Sequence, residues 1–383
     1  MCRHFPACGG CDFQDKTYAE QIAYKQTFCT NLFARFSCPE VLPVIASDRI
    51  WHYRNRMDFS AQDKKGALVL GLRQKARPAF VIDVKECRIF SEHTGQVLDI
   101  FRAWAAESDF PGYDVYHHTG VFRYVSLRQA KATGAIMVTA VFAFEPETFN
   151  RHKEKFQTLA GRLNQISAIK SVYVCLNDKV SDDALSDQLF LVDGEEYLRE
   201  KINGIEYLVG PQVFLQPNPA ACVKMYELIA EAARQGRGEI LDLYCGSGGI
   251  TLQVAGTVKK VVGVDNLPAN IELARKNAAL NSLPNVEFIC ADVEKFLLNN
   301  PANRFSAVIV DPPRAGLSKK TRQAILERRV PELIYVSCNP MNLREDLKIL
   351  TPAYRLTKLI PFDMFPHTRH FEVLALLARN TTS

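Results

Sequence analysis

The chain has 383 residues, enough for about two or three domains and a sizeable core. Hydrophobic residues make up 47% and charged residues 23%, which is ordinary for a globular protein, and the net charge of +5 does not by itself indicate nucleic-acid binding. No apolar run is long enough to span a bilayer, and the amino terminus lacks the apolar core of a signal peptide. We therefore expect a cytoplasmic protein with no membrane segment.

A cysteine cluster opens the chain. Eleven cysteines in a reducing compartment are not a disulfide framework, so some must be metal ligands, nucleophiles or core residues. Cys2, Cys8 and Cys11 follow the pattern C-x5-C-G-G-C, and Cys87 is a candidate fourth ligand. Four thiolates suit zinc or an iron–sulfur cluster, and the spacing alone does not choose between them.

The amino-terminal half alternates between helical and strand-type patterns. Helical patterns cover residues 18–36 and 149–163. Five segments predict strands, the first four of them antiparallel: residues 56–61, 67–72, 123–128, 135–142 and 169–175. This mixture indicates an α+β domain. We place the domain boundary near residue 205, so that the domains span residues 1–205 and 206–383.

A basic stretch lies within the first domain. Between Arg49 and Arg77 eight basic residues stand against two acidic ones, and Trp51, Tyr53 and Phe59 are interleaved with them. Such a mixture suits phosphate contacts and base stacking. The alternative is a solvated β-hairpin with a polar face, and the stretch alone favours neither interpretation. The basic residues are Arg49, Arg54, Arg56, Lys64, Lys65, Arg73, Lys75 and Arg77.

The carboxyl-terminal half alternates strand and helix about every twenty to thirty residues, as βαβ units do. Chemically useful residues follow five successive predicted strands, and in open parallel sheets ligands bind in the crevice at those ends. We therefore predict one site, with a nucleotide-like cofactor at the first three strand ends and the reaction at the last two. The segments are residues 242–249, Asp265, Asp292, residues 311–314 and residues 338–340.

The first three strand ends suit a nucleoside cofactor. The turn Gly246-Ser-Gly248 lets backbone approach a ligand closely, and Thr251 replaces the third glycine of a nicotinamide fingerprint, which argues against a pyrophosphate. Asp265 can accept both ribose hydroxyls, and Asp292 can receive an adenine amino group. Alternatively, both carboxylates are helix caps. The ordered arrangement resembles the S-adenosylmethionine-dependent methyltransferases, which favours the cofactor interpretation.

The last two strand ends suit chemistry on a nucleobase. Motifs like Asp311-Pro-Pro-Arg314 occur in methyltransferases that act on nucleobase amino groups, but such enzymes need no cysteine. Cys338 offers a soft nucleophile and Glu372 a proton acceptor. Carbon 5 of uracil is too weakly nucleophilic until a thiolate adds to carbon 6, and a base must later remove the proton on carbon 5. The alternatives for Cys338 are a buried core cysteine and a zinc site with His367 and His370.

The carboxyl-terminal half resembles the RNA uridine-5-methyltransferase family through residues 211–218, 242–249, 311–316, 337–340 and 362–372. The resemblance implies an α/β protein with a Rossmann-like domain that uses S-adenosylmethionine to form 5-methyluridine in RNA. It implies that Cys338 is the nucleophile and Glu372 the base. It also implies cofactor contacts from Gln216, Tyr244, Asp265 and Asp311. Two departures are Gly249, where some relatives carry Asn, and Asp265, where Glu is frequent.

The same resemblance bears on the cysteines and on RNA. It implies a 4Fe-4S cluster held by Cys2, Cys8, Cys11 and Cys87, which we expect to be structural because methyl transfer needs no electrons. We expect the short form of the family, without an amino-terminal β-barrel, so that the first domain holds the RNA. Residues 53–56 also resemble a family segment. Ribosomal RNA is favoured over tRNA, the protein is expected to be a monomer, and the remaining alternative is a noncatalytic iron–sulfur RNA-binding factor.

Overall fold

The computed structural model describes residues 1–36, 41–64, 66–180, 184, 186, 188–235, 238–300 and 304–380. Contacts divide the chain into two units. The amino-terminal unit comprises Met1–Asp15, Ile50–Glu200 and Leu208–Gln212, and the carboxyl-terminal unit comprises Lys16–Arg49, Lys201–Tyr207 and Val213–Ser383. No helix in the described ranges is both long and apolar enough to cross a membrane.

The amino-terminal unit is built on one seven-stranded sheet of order β3-β2-β1-β4-β5-β6-β7. The predicted antiparallel pairing is confirmed, since β1 pairs antiparallel with β2 and β4, and β4 with β5. The strands are β1 (Arg56–Lys64), β2 (Ala67–Arg73), β3 (Val81–Asp83), β4 (Phe122–Gln129), β5 (Ile136–Phe142), β6 (Ile169–Leu176) and β7 (Gln188–Gly194).

Three helices belong to this unit: α2 (Thr94–Ser108), α3 (Thr148–Arg151) and α4 (Lys153–Leu163). Helices α3 and α4 connect β5 to β6, which pair in parallel, because parallel neighbours need a crossover connection. The core is aromatic around Trp104, whose ring lies 5.3 Å from that of Phe110 and 6.0 Å from that of Phe142. The indole nitrogen of Trp104 donates to the carbonyl of Lys155 at 3.0 Å, so its polar atom is satisfied.

The carboxyl-terminal unit contains a second seven-stranded sheet, of order β12-β11-β10-β13-β14-β16-β15. Strands β10 to β14 pair in parallel, and β16 joins β14 and β15 antiparallel. Chain order reverses at β10, which lies between β11 and β13, so a crevice opens at its carboxyl end. The strands are β10 (Glu239–Leu243), β11 (Val261–Asp265), β12 (Val286–Cys290), β13 (Phe305–Val310), β14 (Glu332–Ser337), β15 (Tyr354–Phe362) and β16 (Glu372–Arg379).

The described helices of the carboxyl-terminal unit are α1 (Tyr18–Phe33), α5 (Pro219–Arg234), α6 (Gly249–Ala255), α7 (Pro268–Leu280), α8 (Val293–Asn299), α9 (Lys319–Arg328) and α10 (Pro340–Leu350). Two further strands, β8 (Leu198–Ile202) and β9 (Ile205–Val209), form a small sheet of their own.

Helix α1 groups with the carboxyl-terminal unit, which differs from the single boundary predicted near residue 205. A capping box between Thr17 and Glu20 begins the helix, as local sequence dictates. Its Cys29 and Phe33 are 0% and 1% exposed and belong to the apolar core that covers the parallel sheet. Local sequence therefore sets where the helix starts, but its apolar face decides which unit it joins.

Candidate active site

The turn after β10 is shaped for close approach of a ligand. Tyr244, Gly246 and Gly248 have φ values of 64°, 54° and 89°, in the left-handed region that favours glycine. A Cβ atom on Gly246 would meet no atom within 4 Å, so open space lies beside this residue. At Gly249 a Cβ would lie 3.2 Å from the Tyr226 hydroxyl, so the Asn carried by some relatives would crowd that hydroxyl here.

Asp265 ties this turn to the next connection. Its Oδ2 accepts a hydrogen bond from the backbone of Gly246 at 3.0 Å. Its Oδ1 accepts from the backbone of Leu267 at 2.9 Å and from Nδ2 of Asn270 at 3.2 Å. A carboxylate offers roughly four acceptor sites, so Asp265 retains one, on Oδ2. That is enough for one ribose hydroxyl while these protein bonds are kept.

Asp292 and Tyr244 are held by neighbours of their own. Asp292 is exposed and caps α8, accepting from the backbone of Lys295 at 2.9 Å, so the helix-cap alternative is confirmed for this residue. The Tyr244 hydroxyl lies 3.3 Å from the hydroxyl of Thr321. Burial raises the pKa of Tyr244, and the contact with Thr321 opposes that rise. Their predicted roles at the cofactor remain predictions.

Gln216 and Asp311 form a buried pair at the end of β13. Nε2 of Gln216, which is 3% exposed, donates to Oδ2 of Asp311 at 2.9 Å. Burial and the nearby charge of Asp242 raise the pKa of Asp311 to about 7, and the bond from Gln216 opposes the rise. Asp242 is fully buried beneath the turn, where burial raises its pKa to about 7 although the Thr251 hydroxyl donates to it. The carboxyls of Asp242 and Asp311 therefore gain or lose a proton near neutral pH.

Strand register brings Cys338 and Glu372 together. Ser337, the last residue of β14, pairs with Val373 on β16, so Cys338 and Glu372 adjoin this pair at the same end of the two strands. Burial, followed by the charges of Glu372 and Asp311, raises the pKa of the Cys338 thiol to about 11, and Arg314 opposes the rise. A half-buried thiol thus lies near a buried carboxyl, which suits addition followed by proton removal.

Glu372 has the environment of a proton acceptor. It is 2% exposed, and among the described residues its Oε2 has no hydrogen-bond partner. Burial and the charge of Asp311 raise its pKa well above the ordinary value, whereas Arg314 lowers it. A carboxyl of this kind binds a proton more readily than a solvated carboxyl does. Its Oε2, which accepts no hydrogen bond from the described residues, is available to receive a proton from a substrate.

Two asparagines that the sequence did not single out connect the reaction loops. The carbonyl of Arg314 accepts from Nδ2 of Asn339 at 3.1 Å and from Nδ2 of Asn342 at 2.6 Å. Asn339 follows Cys338 directly, so these bonds hold the Asp-Pro-Pro-Arg loop against the nucleophile. In the sequence, Asn339 is notable only as an amide side chain next to Cys338. Such a neighbour is too common to indicate a function.

The zinc alternative for Cys338 is not supported. Nδ1 of His367 lies 3.2 Å from Nε2 of Gln21, and Nδ1 of His370 lies 3.5 Å from a guanidinium nitrogen of Arg314. Within the described ranges, no three His, Cys, Asp or Glu side chains are arranged to hold one metal ion. The histidines therefore serve the loop before Glu372 rather than a metal site with the cysteine.

The amino-terminal unit brings the four predicted cluster cysteines to one cavity. Cys2, Cys8, Cys11 and Cys87 all line it, and Cys11 and Cys87 are buried. Burial raises the pKa of Cys11 to about 11 and of Cys87 to about 12, and in both cases charge on Cys8 adds to the rise. The thiols are therefore neighbours, although in the described part of the chain they are not arranged around a single ion. Metal binding here stays a prediction.

Several known proteins resemble this chain in sequence and fold. The family model for tRNA (uracil-5-)-methyltransferase matches residues 184–380. An uncharacterized RNA methyltransferase of Clostridium tetani is 32% identical over 387 residues, covering 100% of this chain and 84% of the relative. One from Halalkalibacterium halodurans is 34% identical over 384 residues, covering 98% and 82%. Pyrococcus abyssi tRNA (uracil-54, C5)-methyltransferase in complex with S-adenosyl-L-homocysteine has a TM-score of 0.80 and 28% identity, covering 97% of this chain and 85% of that chain.

The chain belongs to the tRNA (uracil-5-)-methyltransferase family. It is an S-adenosylmethionine-dependent RNA methyltransferase, and the predicted α/β fold with a Rossmann-like domain is confirmed. The iron–sulfur cluster, the choice of RNA and the roles of individual site residues stay predictions.

The central part of the basic stretch of this methyltransferase forms a β-hairpin, β1–β2, as the structural alternative predicted, whereas both ends of the stretch lie outside the hairpin. Tyr53 and Phe59 are 1% and 0% exposed and lie in the core, so the prediction that they stack on bases is wrong. Trp51 is half-buried, and the guanidinium of Arg88 lies 4.8 Å from its ring centroid. Arg56 pairs with a carboxylate on its own strand, whereas Lys65 lies outside the described residues. Strand alternation in β1 points Phe59 inward, which composition alone does not reveal.

Proposed function

We propose that this enzyme methylates carbon 5 of uracil in RNA and forms 5-methyluridine. The supporting observation is that Cys338 and the buried Glu372 adjoin the Ser337–Val373 pair at one end of β14 and β16. Methylation of an exocyclic amino group would use neither residue, so the pair favours carbon-5 chemistry over that alternative. The noncatalytic alternative predicts a broken site, whereas Asp265, Asp311, Cys338 and Glu372 are all in place.

The reaction follows from the two side chains. Cys338 loses its proton to solvent, its sulfur bonds to carbon 6, and the ring electrons move toward the carbonyl at carbon 4. The cofactor, when bound, would supply the methyl group: carbon 5 donates its electron pair to the methyl carbon, and the bond from that carbon to the sulfonium sulfur breaks, which leaves S-adenosylhomocysteine. Glu372 then takes the proton from carbon 5, the double bond between carbons 5 and 6 re-forms, and the sulfur of Cys338 leaves. The proton on Glu372 then passes to the departing sulfur, so the Cys338 thiol and the Glu372 carboxylate are both regenerated.

The cofactor contacts belong to the same proposal. Open space beside Gly246 supports backbone approach by the cofactor, and the remaining acceptor site on Asp265 Oδ2 supports one bond to a ribose hydroxyl. Tyr244 flanks the turn from β10, and Gln216 with Asp311 flanks it from β13. We assign these four side chains to cofactor binding: Gln216, Tyr244, Asp265 and Asp311.

A trapping experiment tests the reaction. RNA that carries 5-fluorouridine should form a covalent complex that survives denaturing electrophoresis when S-adenosylmethionine is present. The reason is that fluorine at carbon 5 cannot be removed as a proton, so the sulfur of Cys338 cannot leave. An enzyme that methylates an amino group would form no such complex and would turn over this RNA normally. Absence of the complex with active protein would exclude carbon-5 methylation.

The RNA target has two candidates. The first candidate is ribosomal RNA, 23S in particular. Transfer RNA is the second candidate, because the matched family description and the Pyrococcus abyssi enzyme both name tRNA for their proteins. Mapping 5-methyluridine in 23S rRNA and in tRNA from cells with and without this gene separates the two. We keep the predictions of a cytoplasmic location and a monomer.

We also propose that Cys2, Cys8, Cys11 and Cys87 hold a 4Fe-4S cluster. Besides the shared cavity, the tight packing of the Cys-Gly-Gly-Cys turn supports this. A Cβ on Gly9 would lie 2.8 Å from the backbone oxygen of Arg73, so glycine at this position lets the turn pack closely against β2. The thiolates would join the amino terminus to the Cys87 loop, a structural role that needs no electron transfer.

A further inference from the structure

Helix α1 buries two polar side chains on one face. Gln21 and Lys25 are both 0% exposed and lie four residues apart, so they are neighbours along the helix. Burying an ammonium group is costly unless it is paired and hydrogen-bonded, and a buried amide also needs partners. The partners of these two side chains therefore show what this face of α1 does.

Both side chains bind the segment that leads to Glu372. Nζ of Lys25 donates to Oδ1 of Asp363, itself 0% exposed, and to the carbonyl of Phe365 at 3.0 Å. Oε1 of Gln21 accepts from the backbone of His367 at 2.7 Å, and Nε2 of Gln21 lies 3.2 Å from Nδ1 of the same residue. We call residues 363–371, between β15 and β16, the base loop.

A third contact reaches the end of the base loop. Phe28, one turn beyond Lys25, meets the ring of Phe371 edge to face, with centroids 6.0 Å apart. Phe371 directly precedes Glu372 and is 2% exposed. The stripe Gln21, Lys25 and Phe28 thus contacts the base loop at its start, its middle and its last residue.

The middle contact is made at an uncommon backbone conformation. His367 has φ of 65°, in the left-handed region, and is 4% exposed. A non-glycine residue keeps such a conformation only when its surroundings hold it there. The backbone N–H of His367 donates its hydrogen bond to Gln21, so Gln21 stabilises the conformation that carries the chain toward Glu372.

We propose that Gln21 and Lys25 are positioning residues for Glu372 in the methyl-transfer reaction. This inference rests on the proposed function. Buried ion pairs such as Lys25–Asp363 add little stability over apolar packing, so a role in fixing the geometry of the base loop explains them better. Addition to carbon 6 and methyl transfer do not use Glu372, whereas removal of the carbon-5 proton does. A loosened base loop should therefore slow the last step selectively.

The test compares two substitutions on the same helix. Gln21→Met keeps size and helix propensity but removes the acceptor for His367. Gln26→Met is the matched control, because the Gln26 amide accepts from the backbone of Val44 at 2.7 Å and donates to the carbonyl of Leu42, both outside the base loop. RNA carrying tritium at carbon 5 of uridine reports proton loss, labelled S-adenosylmethionine reports methyl incorporation, and denaturing electrophoresis reports the covalent adduct.

We expect Gln21→Met to release tritium roughly ten- to a hundred-fold more slowly than wild type in a single turnover, as small misplacements of a catalytic group do. Methyl incorporation should change little, and methylated adduct should accumulate. In Gln26→Met, any change in the rate of tritium release should be matched by an equal change in the rate of methyl incorporation. A parallel loss of both signals in Gln21→Met, without adduct, would overturn the proposal and leave α1 a purely structural helix.

A second variant keeps the proposal testable if Gln21→Met does not fold. Lys25→Met combined with Asp363→Leu replaces the buried pair by apolar groups of similar size, an exchange that proteins tolerate. It should also accumulate methylated adduct, and equal loss of methyl and tritium signals would again overturn the proposal. If wild type releases no tritium and forms no complex with 5-fluorouridine RNA, the proposed function itself fails, which is a different outcome.

Discussion

Cys338 directly follows β14 and Glu372 begins β16, so both residues adjoin the Ser337–Val373 pair that ends the pairing of these strands. This register brings the two residues to the same end of the sheet. The charge of Glu372 also raises the pKa of the Cys338 thiol, after the larger effect of burial. The proposed nucleophile and the proposed base therefore influence each other, and single substitutions should separate their roles.

Replacement of the nucleophile should abolish turnover without affecting the cofactor. Cys338→Ala removes the sulfur that adds to carbon 6, so methyl incorporation into RNA should disappear. Binding of S-adenosylmethionine, measured by titration calorimetry, should stay close to that of wild type. Cys290→Ala is the control, since Cys290 is an exposed cysteine at the end of β12 and takes no part in the proposed reaction. A Cys338→Ala enzyme that methylates RNA at the wild-type rate would refute the nucleophile assignment.

Removal of the base should stall the reaction after methyl transfer. Glu372→Gln keeps the shape of the side chain but cannot take the carbon-5 proton, so the cysteine cannot leave. We expect a methylated protein–RNA adduct to accumulate on denaturing gels while product release falls by roughly a hundredfold or more, as loss of a general base does. Full activity with no adduct would show that another group removes the proton.

The buried Asp242 should make stability depend on pH. Burial raises its pKa from the ordinary 3.8 to about 7. Between these values the folded protein holds a proton that the unfolded chain lacks. This contribution to the free energy of unfolding is therefore fully present below about pH 4 and is lost as the pH rises through about 7. Asp242→Asn cannot lose a proton, so its free energy of unfolding should decline less steeply across that range.

Denaturant unfolding of wild type and Asp242→Asn near pH 5 and near pH 8 measures this effect, which should be on the order of a few kcal/mol. If the free energy of unfolding changes by the same amount between these pH values in both proteins, Asp242 stays charged in the folded state. Asp311, whose pKa is also raised to about 7, should contribute with the same sign in both proteins.

Loss of one cluster cysteine should bleach the protein and weaken its amino-terminal unit. Cys11→Ser removes a ligand from the shared cavity, and metal binding contributes to folding free energy. Protein purified without oxygen should lose its brown colour and unfold at a lower temperature, whereas Cys290→Ser should keep both properties. Anaerobic wild type that contains zinc and no iron would overturn the identity of the cluster but not its ligands.

The β1 end of the hairpin should set RNA affinity. Arg54→Ala with Arg56→Ala should raise the Michaelis constant for RNA and leave the cofactor dissociation constant unchanged. Removing one phosphate contact should also reduce the log–log salt slope of binding by about one unit or slightly less. Arg151→Ala with Lys153→Ala is the matched control, since it removes two exposed charges from α3 and α4 of the same unit. If the two double variants bind alike across a salt titration, the hairpin is only a solvated surface.

Local sequence by itself determined the elements and the cofactor turn. The strands of the parallel sheet, the positive-φ turn at Gly246 and the helix cap at Asp292 depend on residues close together in the chain, so periodicity and turn chemistry predict them. The cysteine spacing likewise singled out Cys2, Cys8, Cys11 and Cys87 before the shared cavity was known. These features reflect conformational preferences between residues close together in the chain, which do not depend on the tertiary structure.

Only the tertiary structure decided which of these residues act together. The closeness of Cys338 and Glu372 depends on β16 entering the sheet antiparallel beside β14, and a shift by one residue would turn Glu372 to the other face. The burial of Tyr53 in the core and the contact of Gln21 with His367 likewise join parts of the chain that are distant in sequence. Such contacts form when the apolar faces of separate helices and strands are buried against one another. Which faces meet is decided by the whole fold and not by local sequence.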